Sequence, residues 1–316
     1  MTDLKLGMLL WSQAATWPEM LAATRRIEAA GYDHLWTWDH LYAIYGDPHQ
    51  PIFEGWSLLA GWAMATERIR IGLLVGANTF RNPGLVAKTA TTLDHISGGR
   101  AILGLGGAWF EHEHTAHGID FGSGFGQRLD WADEAVAAMR GLLDGATVTS
   151  PDGGRYAFQD LRQEPLPLQA HLPIMIGGSG EKKTLRTVAR YADQWNAFGT
   201  AEKLAHKDEV LRRHCAEVGR DEAEIERTVG CKIVIRDSRS EAERVWADQM
   251  AHNRTPRDEW DDVETLWIGT PEEVAAEIRS RVDVGFETVI VELPAPYDIE
   301  TIERLIGAVK PLVDRG

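Results

Sequence analysis

Residues 69–105 read IRIGLLVGANTFRNPGLVAKTATTLDHISGGRAILGL, and they contain the pattern from which the architecture is predicted. The apolar run Ile69–Val75 predicts a strand, and the apolar residues of Pro83–Ile96 recur at helical spacing. A glycine-rich turn at 97–99 ends that helix, and Ala101–Leu105 predicts the next strand. A strand, a helix and a second strand in this order form a βαβ unit, in which the two strands run parallel.

The same alternation continues along the rest of the chain. Further strands are predicted at Leu4–Trp11, His34–Trp38, Pro173–Ile176, Gln194–Ala197, Thr228–Ile235 and Thr288–Glu292. Further helices are predicted at Trp17–Ala30, Glu54–Thr66, Arg128–Leu143, Gly180–Tyr191, Glu202–Val218, Ser240–Ala251, Pro271–Val284 and Ile299–Val313. Eight strands with helices between them favour an α/β fold, a closed (β/α)8 TIM barrel, over an open sheet.

Two segments depart from this alternation and are interpreted as loop insertions. Arg155–Phe158 follows a turn-forming stretch and predicts a small extra strand. Residues 253–267 have weak periodicity and are interpreted as a variable excursion. Since no repeat, low-complexity tract or linker separates the units, we expect residues 1–316 to form a single domain.

Charge and cysteine content narrow the classes of partner. The formal net charge of −15 repels nucleic acid and anionic membrane surfaces, so a small-molecule substrate is the expected partner. Cys215 and Cys231 are too few for a disulfide framework, and no apolar stretch approaches the length of a membrane span. With no signal-peptide pattern at the start of the sequence, we expect a cytoplasmic protein.

The second predicted strand ends in Asp39-His40. Active sites of (β/α)8 barrels lie where the strands run into the following loops. An Asp and a His at this end can donate, accept or shuttle a proton near neutral pH. The alternative is that Asp39 caps a turn and His40 only packs.

The loop after the fourth strand contains glycines and histidines. Gly104-x-Gly106 does not complete a dinucleotide-binding pattern, because residue 109 is Trp. The histidines at 112, 114 and 117 have no compact third-ligand pattern, so no metal site is predicted.

A glycine turn, Gly177-Gly178-Ser179-Gly180, follows the fifth strand and leads into a predicted helix. Backbone amides at such a turn, the helix dipole and the neighbouring Lys182 and Lys183 favour an anion-binding site. The alternative is that the glycines serve only helix packing. Gly76 at the end of the third strand marks either a close backbone approach to a ligand or an ordinary loop.

Taken together, six stretches in this order resemble the luciferase-like monooxygenase superfamily, and most closely its branch of coenzyme F420-dependent oxidoreductases. The resemblance extends from residue 4 to about residue 310. The stretches are Trp36–Leu41, Leu93–Arg100, Gly104–His114, Ile174–Thr184, Tyr191–Asn196 and His214–Asp221.

The resemblance implies a bacterial-luciferase-like TIM barrel with the cofactor ring across its mouth. It also implies that Asp39 and His40 contact the ring edge. A bulge at Leu74-Val75-Gly76, often with a non-proline cis peptide in this family, would back the ring. The glycine turn would hold the cofactor phosphate. The implied cofactor-binding residues are Asp39, His40, Leu74, Val75, Gly76, Asn78, Gly106, Gly107, Gly177, Gly178, Ser179, Gly180, Lys182 and Asn196.

The implied catalytic group is His40, as proton donor or acceptor, with Asp39 tuning or orienting it. Gln13 stands where family members place a polar active-site group.

The family's sugar-phosphate dehydrogenases carry a Trp and an acidic residue where this chain has Ile44 and Trp109. This difference disfavours a sugar phosphate and predicts an apolar or aromatic substrate, with Trp109 in the substrate pocket.

Three readings of the function follow from the resemblance. The first is an F420-dependent oxidoreductase that transfers a hydride between the deazaflavin and a small organic substrate. The second keeps the fold and replaces the coenzyme with FMN, which makes the protein a monooxygenase. The third is a non-catalytic barrel that binds or carries the cofactor. A homodimer, common in the family, is the expected assembly.

Overall fold

In the computed structural model, residues 4–260 and 264–314 are described. Ten strands lie in a single parallel sheet: β1 Lys5–Leu10, β2 His34–Thr37, β3 Arg70–Leu73, β4 Gly76–Ala77, β5 Ala101–Gly106, β6 Ile174–Gly177, β7 Gln194–Ala197, β8 Glu226–Ile235, β9 Leu266–Gly269 and β10 Thr288–Leu293.

Helices fill the connections between these strands. They are α1 Trp17–Ala30, α2 Gly55–Ala65, α3 Pro83–Ser97, α4 Glu111–His117, α5 Phe125–Leu143, α6 Thr184–Tyr191, α7 Ala201–Val218, α8 Arg239–His252, α9 Pro271–Val282, α10 Ile299–Arg304 and α11 Lys310–Val313. A π-helical turn, Leu305–Val309, joins α10 to α11, so the predicted last helix is continuous in its helical character.

The sheet closes into a barrel because β10 pairs with both β1 and β8. Thr288 is the register partner of Lys5 on one side and of Thr228 on the other. β4 continues the path of β3 and pairs with β5, while β9 extends the edge of β8. The predicted barrel of eight parallel strands is therefore confirmed.

Alternation along the strands separates the inside of the barrel from the layer beneath the helices. On β1, Leu9 packs in the cluster that contains Trp36, whereas Met8 and Leu10 pack in the larger cluster that includes the helices. The Trp36 ring occupies the space that a side chain at Gly72 would need. A Cβ at Gly72 would lie 2.6 Å from this ring. A glycine on the neighbouring strand thus lets one large ring fill this part of the interior.

Capping explains why several helix bounds could be predicted closely. Thr16 and Glu19 form a capping box at the start of α1, and Gly31 ends it with a left-handed φ of 95°. A second capping box, formed by Thr270 and Glu273, starts α9. The N-cap of α8 is Ser238 rather than the expected Ser240, because the Ser238 side chain accepts the Glu241 N–H.

Three predicted segments differ from the structure. Arg155–Phe158 is not a strand; a single antiparallel bridge joins Val148 to Leu161 instead. The excursion at 253–267 contains the start of β9, where apolar residues pair with β8, and its residues 261–263 lie outside the described part of the chain. The helix predicted from Gly180 begins at Thr184, since a turn occupies 181–183.

None of the helices in the described ranges combines the length and apolar character that a crossing of the bilayer requires.

Candidate active site

A cavity of about 350 Å³ opens at the C-terminal ends of the barrel strands. Its walls are mostly apolar and aromatic, with Trp38, Tyr45 and Phe198 among them. Concave, mostly apolar sites with a few polar groups are typical of small-molecule binding. Eleven of the residues expected at the site line this cavity: Asp39, His40, Leu74, Val75, Gly76, Gly106, Gly107, Trp109, Gly177, Gly178 and Asn196.

Asp39 is buried and is held by an arginine that the sequence did not single out. Its carboxylate accepts hydrogen bonds from Arg81 Nη1 at 2.8 and 3.0 Å and from the Ala77 N–H at 2.9 Å. Burial raises the pKa of Asp39, and the Arg81 and Ala77 contacts oppose that rise. Asp39 therefore ties the end of β2 to β4 through its backbone contact.

Arg81 also binds Glu54, at 2.7 Å. Glu54 is the N-cap of α2, where it accepts the N–H groups of Trp56 and Ser57. Burial raises its pKa, but these bonds and Arg81 outweigh burial and leave the pKa of Glu54 below its ordinary value. Glu54 is thus a capping residue that also braces Arg81.

His40 is oriented by Glu113 rather than by Asp39, which corrects the expected pairing. Nδ1 of His40 lies 2.9 Å from Glu113 Oε1, and the other carboxylate oxygen accepts the Leu41 N–H at 2.9 Å. The Asp39 carboxylate is turned toward Arg81 and Ala77. One buried carboxylate therefore fixes both the imidazole ring and the backbone beside it.

The segment that contains Glu113 is the helix α4, which the sequence analysis treated as part of the loop after the fourth strand. Within it, His114 is buried between Thr79 Oγ1, at 2.6 Å, and the carbonyl oxygen of Phe110. His117 contacts the Glu113 carbonyl oxygen. Among the described residues, no group of three or more His, Cys, Asp or Glu side chains could hold a metal ion.

The floor beside Asp39 is the backbone bulge between β3 and β4. A non-proline cis peptide joins Leu74 to Val75, within the three residues that the resemblance indicated. The Val75 side chain packs between two glycines. A Cβ at Gly106 would lie 2.6 Å from its Cγ2, and a Cβ at Gly177 would lie 3.0 Å from its Cγ1. The glycines thus make room for the Val75 side chain at the cavity.

Only the first half of the glycine turn faces the cavity. Gly177 and Gly178 line it, whereas Ser179, Gly180 and the exposed Lys182 lie outside its lining. Lys183 contacts Asp130 and the Gly126 carbonyl oxygen at 2.7 and 2.9 Å. The glycines, the lysines and the helix start, from which one anion-binding site was predicted, are therefore spread out along residues 177–184.

Gln13 and Asn78 are buried beside the cavity and do not line it. Gln13 donates to the Tyr45 carbonyl oxygen and to Asn253, and its own oxygen accepts the Ile44 and Tyr45 N–H groups. These four bonds use the donor and acceptor capacity of the amide, so Gln13 holds the 44–45 loop rather than presenting a reactive group. Asn78 donates to Tyr156.

Two charged residues at the strand ends were not singled out by the sequence. Glu292, on β10, lines the cavity, and its Oε2 accepts the Trp11 Nε1–H at 3.3 Å. Lys232 is its register partner on β8 and is also buried. A single Glu in the run TVIVEL and a single Lys in GCKIVI were the available signals.

A larger surface cleft of about 480 Å³ lies between α5 and residues 148–158. Its carboxylates already bind the protein, since Asp130 pairs with Lys183 and Asp133 accepts from Thr187. Glu134 accepts the N–H groups of residues 155 and 156. This cleft lies outside the barrel mouth, so the cavity at the strand ends is the candidate active site.

The family model described as luciferase-like monooxygenase matches residues 5–288. The chain belongs to this family. The family includes F420-dependent enzymes and monooxygenases, as two relatives of the chain show.

The F420-dependent glucose-6-phosphate dehydrogenase of Kineococcus radiotolerans is 28% identical over 310 residues, which cover 90% of each protein. The pyrimidine monooxygenase RutA of Stutzerimonas stutzeri is 29% identical over 299 residues, which cover 91% of this chain and 76% of the relative. A solved F420-dependent secondary alcohol dehydrogenase, in complex with an F420–acetone adduct, has a TM-score of 0.82 at 21% identity and covers 99% of both chains. That structural likeness supports the luciferase-like barrel.

The residues at the mouth of this luciferase-like barrel fit a planar aromatic cofactor. Gly106, Gly107, Gly177 and Gly178 line the cavity and place no side chain in it. Val75 and the aromatic walls offer apolar contact, and His40 supplies an imidazole. The arrangement can therefore hold a ring against a small substrate and exchange a proton with it.

Proposed function

We propose that this luciferase-like protein is an F420-dependent oxidoreductase that transfers a hydride between the deazaflavin and a small apolar or aromatic substrate. The observation that carries the proposal is the His40–Glu113 pair, one proton-handling group in a cavity that is otherwise mostly apolar. An apolar cavity excludes water from the transfer, and one positioned base or acid handles the proton that accompanies it.

Residues of the bulge and of the glycine turn that line the cavity would hold the coenzyme: Leu74, Val75, Gly76, Gly177 and Gly178. The bound coenzyme supplies the hydride chemistry, and the protein supplies binding and orientation. Trp109, which is 59% exposed and 5.7 Å from the His40 ring, would cover the substrate from the mouth.

Glu113 sets the tautomer of His40. A carboxylate that accepts the Nδ1–H leaves Nε2 as the nitrogen that takes up or releases the proton of the substrate. His40 is then the catalytic residue, and Glu113 is a positioning residue that acts through it. Asp39 keeps the role of contacting the ring edge, and Arg81 holds it in place.

Equilibrium binding of the purified protein to coenzyme F420 and, separately, to FMN tests the proposal. We expect F420 to bind and the affinity to fall when His40 is replaced by Ala or Gly177 by Val. Turnover with the bound coenzyme separates an enzyme from a protein that only carries it. Binding of neither coenzyme contradicts the proposal.

A second candidate function is that of an FMN-dependent monooxygenase. It is favoured by the similarity to a pyrimidine monooxygenase, which extends over 91% of this chain. Selective binding of FMN, followed by oxygen consumption with the reduced cofactor, would support this reading. Binding of F420 without binding of FMN would contradict it.

We also propose that the protein is a cytoplasmic homodimer. Met64 on α2 and Leu85 and Ile96 on α3 are exposed apolar side chains that a second copy could cover. Cys215 and Cys231 are both buried free thiols, as a reducing compartment permits. Light scattering of the purified protein tests the dimer, and a monomer at micromolar concentration contradicts it.

A further inference from the structure

Phe198 forms part of the cavity wall between β7 and β8. It directly follows β7, lines the cavity and is 45% exposed. The register of the two strands pairs Asn196 with Thr228, and the Asn196 amide donates to the Thr228 hydroxyl at 2.9 Å in the buried interior. Because side chains on one face of a strand recur at every second residue, Phe198 and Gly230 are the next inward-facing pair.

Gly230 leaves the room that the Phe198 ring occupies. Apart from its chain neighbours, the three atoms nearest to a Cβ at Gly230 would all belong to the Phe198 ring, with Cζ at 2.6 Å. The ring therefore lies directly against the backbone of β8. Ile290, the register partner of Gly230 on β10, is fully buried in the interior cluster that contains Trp36. Phe198 thus fills the part of the barrel interior that a side chain at residue 230 would otherwise reach.

The cavity is small for a site that binds two molecules. Cavities that bind small molecules range from about 300 to 1,000 Å³. The volume of this one, about 350 Å³, is near the lower limit. Under the proposed function, the same cavity holds the ring of the coenzyme as well as the substrate. Without the Phe198 ring, the space over Gly230 would join the cavity, because residue 230 has no side chain to fill it.

We propose that Phe198 sets the upper size limit of the substrate, because its ring closes the barrel interior over Gly230. The substrate class is then a short-chain or single-ring molecule, and molecules with a second fused ring are excluded. This inference rests on the proposed function in treating the molecule that shares the cavity with F420 as the substrate. A single methylene group too many or too few in an apolar pocket changes selection by about 10- to 200-fold, so a second ring should have at least the lower effect.

Two ketones that differ by one fused ring test the size limit. Acetophenone and 2-acetylnaphthalene are titrated into the purified protein, with and without saturating F420, and calorimetry measures binding. The unmodified protein with F420 should favour acetophenone. In Phe198→Ala, the ratio of the affinity for 2-acetylnaphthalene to that for acetophenone should rise at least about tenfold. The double variant Phe198→Ala with Gly230→Val should return this ratio toward that of the unmodified protein, because the valine refills the space from β8.

Phe158→Ala is the matched control, because Phe158 is a half-buried phenylalanine in the surface cleft between α5 and residues 148–158. It should leave the ratio unchanged. An unchanged ratio in Phe198→Ala, or a raised ratio that the double variant does not reduce, overturns the proposal. A change that is seen without F420 and disappears when F420 is bound also overturns it, since Phe198 would then border the space of the coenzyme.

Failure of the proposed function gives a different result. If F420 does not bind, the proposed function is wrong, and the ratios in the coenzyme-free protein still decide whether Phe198 limits the size of the molecule that the cavity admits. No binding of either ketone to any of these proteins overturns the size limit as well.

Discussion

Nδ1 of His40 lies 2.9 Å from Oε1 of Glu113, although 73 residues separate the two along the chain. The contact joins the loop after β2 to the helix α4. Because Glu113 also accepts the Leu41 N–H, the ring and its backbone are fixed by one side chain. The direction of the His40 ring is therefore fixed before any ligand binds.

Replacing Glu113 by Gln should lower kcat by roughly 10²-fold with little change in KM, because the amide disturbs the His40 tautomer that general acid–base catalysis needs. The amide oxygen can still accept the Leu41 N–H, so the fold should persist. Steady-state kinetics and the pH profile of kcat are the measurements. Glu111→Gln, an exposed carboxylate on the same helix, is the control. An unchanged kcat and pH profile in Glu113→Gln would contradict the positioning role.

Replacing Arg81 by Met should destabilise the protein by about 3 kcal/mol, because the buried Asp39 loses its charged partner. Urea unfolding measures the free energy. The double variant Asp39→Asn with Arg81→Met should lose less than the sum of the two single variants, since both remove the same ion pair. Strict additivity would show that the pair contributes nothing.

Replacing Gly106 by Ala should weaken coenzyme binding about tenfold, because the new methyl group displaces Val75 from the cavity wall. Val75→Ala in the same chain should restore part of the affinity by making room. Gly124→Ala, where a Cβ would meet no atom within 4 Å, is the matched control. If Gly106→Ala binds as the unmodified protein does, Val75 does not shape the coenzyme site.

Acid should destabilise the barrel at its N-terminal face through His34. Burial lowers the pKa of His34 from 6.5 to about 4, although Glu226 and Asp33 raise it. The unfolded chain therefore binds the proton first, so this contribution is present above pH 6.5 and is lost as the pH falls toward 4. The loss amounts to about 3 kcal/mol.

Thermal unfolding between pH 4 and 7 measures this effect. In His34→Gln the titrating ring is absent, so the stability of the variant should fall less steeply over the same interval than that of the unmodified protein. Carboxylates such as Glu226, which has a lowered pKa, contribute to both curves. Parallel curves for the two proteins would exclude His34 as the titrating group.

The barrel could be predicted because its signals are local. Each strand is a short apolar run, and caps such as Thr16 and Gly31 mark the helix ends. The predicted bounds were less accurate at the ends of β3 and at the starts of α6 and β9. There, backbone geometry and pairing with β8 decide the structure, and neither leaves a periodic pattern.

The site could be predicted where residues with reactive side chains lie at the end of a predicted strand, as Asp39 and His40 do. The partners of these residues were not, because Arg81 lies in the loop before α3 and Glu113 lies on α4, and both meet them only through the tertiary fold. Glu292 gave a signal that sequence reasoning could have used. A charged residue inside an apolar strand is either paired or functional. Because Glu292 lies near the end of its strand, its position indicates the cavity at the strand ends.

The most direct test of the account is an anaerobic single turnover of reduced coenzyme F420 with the purified protein and a panel of apolar and aromatic carbonyl compounds. We expect the coenzyme to be oxidised with one equivalent of acceptor reduced, and the rate to fall roughly 10²-fold or more in His40→Ala. Failure of every acceptor, together with oxygen-dependent turnover of reduced FMN, would contradict the account and assign a monooxygenase instead.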